Sequence, residues 1–158
     1  MERESPHLEI ANRQRRVRLL REEIGTLVSH VLEEEGKEHS VAIAFVGVQT
    51  MRCLNREWMG EDRPTDVLSF LMGDPPPGPC ASDIPSGEIV ICTPICEESS
   101  RTRAIDLHRE VARMLIHGLL HLLGYDHATG SQQRRMRLRE RRYLDWYRRK
   151  RLCVVEAR

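Results

Sequence analysis

The sequence predicts a single α+β domain in which a small mixed β-sheet packs on several helices, one of them central and buried. Short apolar runs at 41–48, 67–71 and 88–92 are typical of strands, and amphipathic helical repeats lie around them. The segment from Asp106 to Leu122 is apolar nearly all round, which indicates the buried helix. The chain has 158 residues, 40% of them hydrophobic, so we expect one core and one domain over 1–158.

The elements of the N-terminal half follow from periodicity and from turn residues. Residues 1–6 are expected to be a loose tail. We then predict a short strand at 7–11, a helix at 14–35 ended by Gly36, a buried strand at 41–48, a helix at 50–58 capped by Thr50 with Met51, Leu54 and Trp58 facing inward, and a loop at 60–66.

The second half begins with a strand at 67–71, which we expect at a sheet edge. Residues 73–87 are rich in Pro, Gly, Ser and Asp and predict a long surface loop, either an inserted linker, which we favour, or a flap beside a site. A strand at 88–92 follows, then a helix at 93–103 capped by Thr93, the buried helix capped by Asp106, and a last helix at 131–149.

Charge and cysteine content limit the classes of function. The net charge is +1, so the whole molecule is not a polycation, and no run approaches the ~18 apolar residues of a membrane span. The charged N-terminus has no apolar signal core. The five cysteines have no zinc-ribbon or CxxC spacing, which predicts free thiols in a reducing compartment, and we expect a cytoplasmic protein without a membrane partner.

The most informative stretch is 117–127, HGLLHLLGYDH. His117 and His121 are four residues apart and share one helix face. Gly124 can adopt the left-handed conformation that ends a helix and reverses the chain, which can bring His127 round to the other two. Three imidazoles on one point are ligands for zinc or a similar divalent ion, with a fourth position left open for catalysis. We therefore predict His117, His121 and His127 as metal ligands.

The same stretch argues against ordinary peptide hydrolysis. The metallopeptidase pattern H-E-x-x-H-x-x-G-x-x-H has a glutamate directly after the first histidine as general base, and this chain has Gly118 there. Glycine cannot accept a proton. Phosphodiester hydrolysis needs less from a protein base, because the metal can activate water and stabilise phosphoryl charge, but it calls for cations nearby.

Two other carboxylates could serve the site. Glu110 lies two turns before His117 on nearly the same helix face, where it would either orient a ligand or be a plain surface residue. Asp126 could hydrogen-bond a ligand imidazole or simply cap the turn.

The last helix is strongly basic. From Arg134 to Arg151 there are ten Arg or Lys residues against Glu140 and Asp145. This face could contact RNA, or it could be a solvated helix surface; the candidates for RNA contact are Arg134, Arg135, Arg141 and Arg142.

Three blocks together resemble a known family, the YbeY-type endoribonucleases of bacterial ribosomal RNA maturation. The histidine stretch at 117–127 looks like the family signature. Leu54-Asn55 with PTDVLSF at 64–70 resembles its second block, and GEIVI at 87–91 its third. The order and spacing of the blocks also agree, over roughly 41–144.

The resemblance implies a single-domain α+β fold and one Zn²⁺ per chain on the three histidines. It also implies single-strand endoribonuclease activity, with a role in maturation of the 16S rRNA 3′ end and in ribosome quality control. The implied partners are ribosomal RNA and the small ribosomal subunit in the cytoplasm. Nothing in the sequence specifies the oligomeric state, for which a monomer is the default.

One departure from the family bears on catalysis. The family usually has an arginine, thought to contact RNA or stabilise phosphate charge, where this chain has Met59. Arg63 or Arg56 could substitute for it. The catalytic residues therefore stay unassigned, with Arg63, Arg56 and Glu110 as candidates. The main alternative is a metal-stabilised ribosome-associated factor with weak or lost nuclease activity. A metallopeptidase-like hydrolase is a less favoured alternative.

Overall fold

The computed structural model describes residues 8–73 and 86–158. Within these ranges the elements are β1 Leu8–Arg13, β2 Val17–Leu19, α1 Arg21–Glu34, β3 Val41–Val46, α2 Val48–Met59, β4 Val67–Leu71, β5 Gly87–Cys92, α3 Thr93–Arg103, α4 Leu107–Leu122, α5 Gly130–Arg149 and β6 Val155–Ala157. The α+β fold class is confirmed. That one domain extends over all of 1–158 stays a prediction, and the expected tail at 1–6 and most of the expected 73–87 loop lie outside the described residues.

The larger sheet has four strands in the order β1-β3-β5-β4. The first three are parallel, and β4 runs antiparallel to β5 at the edge, as predicted for 67–71. Ile43 pairs with Ile10 on one side and with Ile89 on the other. Because the central strands β3 and β5 are covered on both faces, their sequences are almost continuously apolar rather than alternating.

Helix α4 is the predicted central buried helix and packs directly on the sheet. A Cβ atom on Gly118 would lie 2.9 Å from Ile89 Cγ2 and 3.1 Å from Ser69 Oγ, so only glycine allows this approach. Ser69 Oγ also donates a hydrogen bond of 3.3 Å to the Gly118 carbonyl. The helix that carries two of the three motif histidines is thereby held against β4 and β5.

The predicted helix at 14–35 is wrong over its first turns. Residues 17–19 form β2, which pairs antiparallel with the C-terminal strand β6, and the helix begins only at Arg21. Val17 is buried, and the Leu20 amide donates to the Val154 carbonyl at 2.9 Å. A partner strand at the other end of the chain decides the local structure here, and helical periodicity cannot reveal it.

The N-terminal capping residues of α2 and α3 differ from the prediction, and so does the orientation of Trp58. Gly47, rather than Thr50, is its N-cap residue, and Cys92 rather than Thr93 precedes α3. Met51 is buried and Leu54 packs beside it, as predicted, but Trp58 is 67% exposed and the expectation that it faces inward is wrong. The Trp58 ring lies 5.6 Å from that of Phe70 on the edge strand, a partner that leaves most of the indole uncovered.

Two further findings concern the chain as a whole. No helix in 8–73 or 86–158 is long and apolar enough to cross a membrane. The four cysteines of these ranges, Cys53, Cys92, Cys96 and Cys153, are free thiols.

Candidate metal centre

Helix α4 and the turn after it bring the three predicted histidines together. His117 and His121 stand one turn apart near the end of α4. Gly124 has φ +95°, its amide donates to the His121 carbonyl at 3.1 Å, and the Tyr125 amide donates to the Leu120 carbonyl at 2.9 Å. This paired hydrogen bonding is the Schellman helix end that the glycine predicts, and it turns the chain toward His127.

The nitrogen atoms that these histidines offer lie within 4.8 Å of one another. Nε2 of His117 is 3.1 Å from Nε2 of His121. Two nitrogens on one tetrahedral zinc ion are separated by about 3.3 Å, from Zn–N distances of ~2.0–2.1 Å. The three side chains therefore fit a zinc-sized ion. The approach of two imidazole nitrogens to this distance is chemically reasonable when both turn toward a shared cation.

Glu140, on α5, orients the first of these rings. The Nδ1–H of His117 donates a hydrogen bond of 2.5 Å to Glu140 Oε1, and the glutamate side chain is only 17% exposed. A carboxylate can only accept, so Nδ1 carries the proton and Nε2 keeps its lone pair for a metal. Sequence reasoning missed this residue. The available signal was its helical spacing with the buried Met136 and Tyr143, which places Glu140 on the inward face of α5.

Electrostatics favour a neutral His121. Burial lowers the pKa of His121, and positive charge on His117 or His127 would lower it further. A neutral imidazole is the form that binds metal. His127 lies on the exposed turn, so the centre is closed on the α4 side and open on the other.

The histidines line a cleft of about 400 Å³ under the edge strand. The facing wall is apolar, and among the described residues that line the cleft none carries a carboxylate or a cationic side chain besides the histidines themselves. The lining residues are Met59, Val67, Leu68, Ser69, Leu71, His117, His121, Leu122 and His127. A metal ion here would face a water-accessible space bordered by apolar side chains.

Both interpretations of Glu110 are wrong. The residue is fully buried, so it is no surface residue. Its carboxylate receives hydrogen bonds from Arg103 at 3.0 Å and from Arg113 at 2.6 Å, rather than from a ligand histidine. A carboxylate buried away from water needs such partners, and Glu110 therefore joins α3 to α4 instead of serving the site.

Asp126 takes the simpler of its two predicted roles. Its Oδ1 accepts a hydrogen bond of 2.7 Å from the His127 amide, which caps the turn. The carboxylate thus acts on the backbone of a predicted ligand rather than on its imidazole.

The structure also places Met59, which stands where the family arginine is expected, and the two arginines considered as substitutes. Met59 is 52% exposed and lines the cleft. Arg63 lies outside it and pairs with Glu61 at 2.6 Å, and Arg56 lies 3.8 Å from Asp62. Neither arginine reaches the cleft in this arrangement, so the structure does not support either as a direct replacement.

The four basic candidates on α5 separate into different environments. Arg142 is paired with Glu34 at 2.6 Å, and the Arg135 guanidinium lies 6.0 Å from the centre of the Tyr125 ring. Arg134 and Arg141 are exposed, seven residues apart and thus on one face of α5, and neither forms an ion pair with another residue of the described ranges. RNA contact by any of the four stays a prediction.

Comparison with known proteins addresses the family. A family model described as endoribonuclease YbeY matches residues 9–148. The chain belongs to the YbeY endoribonuclease family. This confirms the resemblance, and it supports an endoribonuclease role, hence a hydrolase acting on RNA.

Relatives within the YbeY family are moderately similar. Endoribonuclease YbeY of Halorhodospira halophila is 36% identical over 123 residues, which span 78% of this chain and 80% of the relative. Endoribonuclease YbeY of Halalkalibacterium halodurans is 33% identical over 142 residues, which span 81% of this chain and 89% of the relative. The solution structure of TM1509 from Thermotoga maritima aligns with a TM-score of 0.61 and 27% identity, covering 87% of each chain.

Proposed function

We propose that this YbeY-family protein is a zinc-dependent endoribonuclease specific for single-stranded RNA, acting in maturation of the 16S rRNA 3′ end and in ribosome quality control. The observation that carries the proposal is the convergence of three imidazoles on one point in an open cleft. A bound zinc ion would act as an electrophile toward phosphoryl oxygens. It would also lower the pKa of bound water, so that hydroxide would be available as a nucleophile near neutral pH.

The residues of the chain prepare this centre in three ways. Glu140 holds His117 with Nε2 directed at the metal position. Burial keeps His121 neutral by lowering its pKa. The Schellman turn at Gly124 presents His127 without blocking the open side. Three ligands leave a coordination position free, which is typical of catalytic rather than structural zinc.

The apolar lining of the cleft supports single-stranded RNA as substrate. Its apolar wall can receive the face of an unpaired base, whereas a base in a duplex is already stacked. The exposed Arg134 and Arg141 supply positive charge for the phosphate backbone outside the cleft. We extend the proposal to ribosomal RNA and the small ribosomal subunit as partners in the cytoplasm, with the protein as a monomer.

Cleavage of single-stranded RNA with controlled metal content tests the proposal. The protein should cut a 3′-extended small-subunit rRNA transcript, lose activity after chelation and regain it on addition of Zn²⁺. A fully base-paired RNA of the same sequence should resist. Activity that is unchanged by chelation would contradict the zinc dependence, and equal cleavage of the duplex would contradict the strand specificity.

A second candidate function rests on Met59. With methionine where the family usually has arginine, the described lining of the cleft includes no arginine or lysine for the scissile phosphate, and Arg56 and Arg63 lie beside acidic residues outside it. The protein would then be a metal-stabilised ribosome-associated factor with weak nuclease activity. Met59→Arg separates the two candidates, since a large gain in cleavage rate over an almost inactive parent favours the second. Unchanged cleavage by Arg56→Ala and Arg63→Ala would exclude those arginines as substitutes.

Peptide hydrolysis has less support. The place of the peptidase glutamate is taken by Gly118, whose surroundings are filled by Ile89 and Ser69. Among described residues the cleft has no carboxylate that could act as general base.

A further inference from the structure

Glu35 is an acidic residue that contacts Tyr125, in the turn between His121 and His127, and that the proposed chemistry does not use. It is the C-cap residue of α1, and its side chain is 9% exposed. Its carboxylate accepts hydrogen bonds from two tyrosine hydroxyls, Tyr125 at 2.9 Å and Tyr143, and lies 3.7 Å from the Arg139 guanidinium. One largely buried carboxylate thus joins α1, the turn after α4 and α5.

The position of Glu35 is unfavourable for α1 itself. Carboxylates at the C-terminal end of a helix meet the partial negative charge of the free carbonyl groups. Residues 33–35 are all glutamate, and the last turn of α1 has no basic residue. The compensating cations come from α5, where Arg142 pairs with Glu34 and Arg139 approaches Glu35. Local helix stability therefore does not account for an acid at this position.

Tyr125 connects Glu35 to the metal centre. It lies within the turn between His121 and His127, and its amide is fixed by the hydrogen bond to the Leu120 carbonyl. Its hydroxyl is fixed by Glu35, and the Arg135 guanidinium covers its ring at 6.0 Å. The turn is thus held at its backbone by α4 and at its side chain by α1.

Tyr143 connects Glu35 to α5, the helix whose Glu140 orients the ring of His117. It is fully buried and lies one turn after Glu140, whose carboxylate holds His117. Two residues of α5 thereby set two different parts of the metal centre, the ring of His117 directly and the turn before His127 through Glu35.

We propose that Glu35 is a positioning residue which, with Tyr125 and Tyr143, holds the 122–127 turn so that His127 faces the other two histidines before metal binds. The inference rests on the metal centre of the proposed function, but not on its RNA substrate. Its consequence is a preformed site: without the Glu35 contacts His127 would have to be ordered at the moment of binding, which weakens affinity.

Metal affinity, measured apart from stability, tests the inference. Titration with Co²⁺, followed by its visible absorption, and competition with Zn²⁺ give affinity and ligand geometry without any RNA. We expect Tyr125→Phe and Glu35→Gln each to weaken Co²⁺ binding about tenfold. Loss of a residue that hydrogen-bonds a metal ligand usually weakens affinity ~10- to 100-fold, and the low end is expected here because these residues act indirectly, through the turn. The double variant should be little worse than either, because both act on the same contact: one removes the Tyr125 hydroxyl, and the other removes the negative charge to which it donates.

Two matched controls separate positioning from folding. Glu34→Gln breaks an exposed ion pair between the same two helices without touching the turn. Tyr147→Phe removes a buried hydroxyl of α5 that contacts His108 and the Val154 amide. Both should keep the Co²⁺ affinity and spectrum of the parent, whatever their melting temperature.

The result that overturns the inference is parental Co²⁺ affinity and spectrum in Tyr125→Phe and Glu35→Gln, even if both melt earlier. A parent that binds Co²⁺ but does not cleave RNA would refute the proposed activity and leave the inference standing. A parent that binds no metal would refute both.

Discussion

Glu110, on α4, and Glu140, on α5, are two largely buried glutamates, and their partners give them different roles. Glu110 lies between two arginines and joins α3 to α4. Glu140 reaches from α5 to Nδ1 of His117, on the side away from the metal position. The position of Glu110 on the histidine helix suggests function, yet the glutamate on the other helix serves the site. The partner of a buried carboxylate is therefore more informative than its distance in sequence from a motif.

The largest effect is expected for a predicted ligand of the centre itself. His121→Ala removes one of three nitrogens and should abolish tight Zn²⁺ or Co²⁺ binding, since two imidazoles alone make a poor site. Metal content after gel filtration measures it. Retention of one metal per chain would contradict the assignment of His121.

Glu140→Gln should weaken metal binding by about 10- to 100-fold, the usual effect of removing the carboxylate behind a histidine ligand. Glutamine keeps the shape and can still accept from Nδ1–H, but without the charge that makes the imidazole a stronger ligand. Competition with a chromophoric zinc chelator measures the change. A change in metal affinity below twofold would show that Glu140 contributes to packing and not to metal binding.

Glu110→Gln should show the opposite pattern. The uncharged amide loses two charge-assisted hydrogen bonds in a buried position, which we expect to cost about 1–3 kcal/mol of the free energy of unfolding. Arg103 and Arg113 are partly exposed and can turn to water, which keeps the cost below that of a fully buried pair. Urea unfolding of the metal-free protein gives this value, and metal affinity should remain that of the parent.

The smallest expected effect is on the pH dependence of stability and concerns His108, in the first turn of α4. Burial lowers the pKa of His108 from its ordinary value of 6.5, and its Nδ1 lies 2.9 Å from the Tyr147 hydroxyl. The unfolded chain then binds this proton at a higher pH than the folded chain does. Stability should therefore fall as the pH drops below 6.5 toward the lower pKa of the folded state.

His108→Gln keeps a side chain that can contact Tyr147 but cannot titrate. In this variant the loss of melting temperature from about pH 7.5 to about pH 5.5 should be smaller than in the parent. Equal losses would show that other groups carry the acid sensitivity. The measurement is made without metal, so that protonation of the ligand histidines does not add metal release.

The sequence was sufficient for those features that depend on neighbours along the chain. The spacing of His117 and His121 and the left-handed Gly124 follow from helix geometry, and the structure brings them together with His127. The edge position of β4 and the buried α4 were also predictable from apolar patterns. That the three histidines bind zinc stays a prediction.

The features that sequence reasoning missed depend on contacts between distant segments. Residues 17–19 form a strand only because 155–157 lie beside them. Glu140 is distinguished from other charges of α5 only by where that helix docks. Trp58 has the spacing of a core residue, but it lies in the last turn of α2, where among the described residues its ring partner is Phe70 and most of the indole is exposed.

The tight contact at Gly118 also constrains how this chain can evolve. A single base change can convert a glycine codon to one for glutamate, and that change would complete the metallopeptidase motif. Here the new side chain would meet Ile89 and Ser69 before it reached any substrate, so α4 would have to lift off the sheet that positions it. Conversion of this nuclease scaffold to a protease is thus easy in the genetic code but blocked by sterics, and would first require smaller residues on β4 and β5.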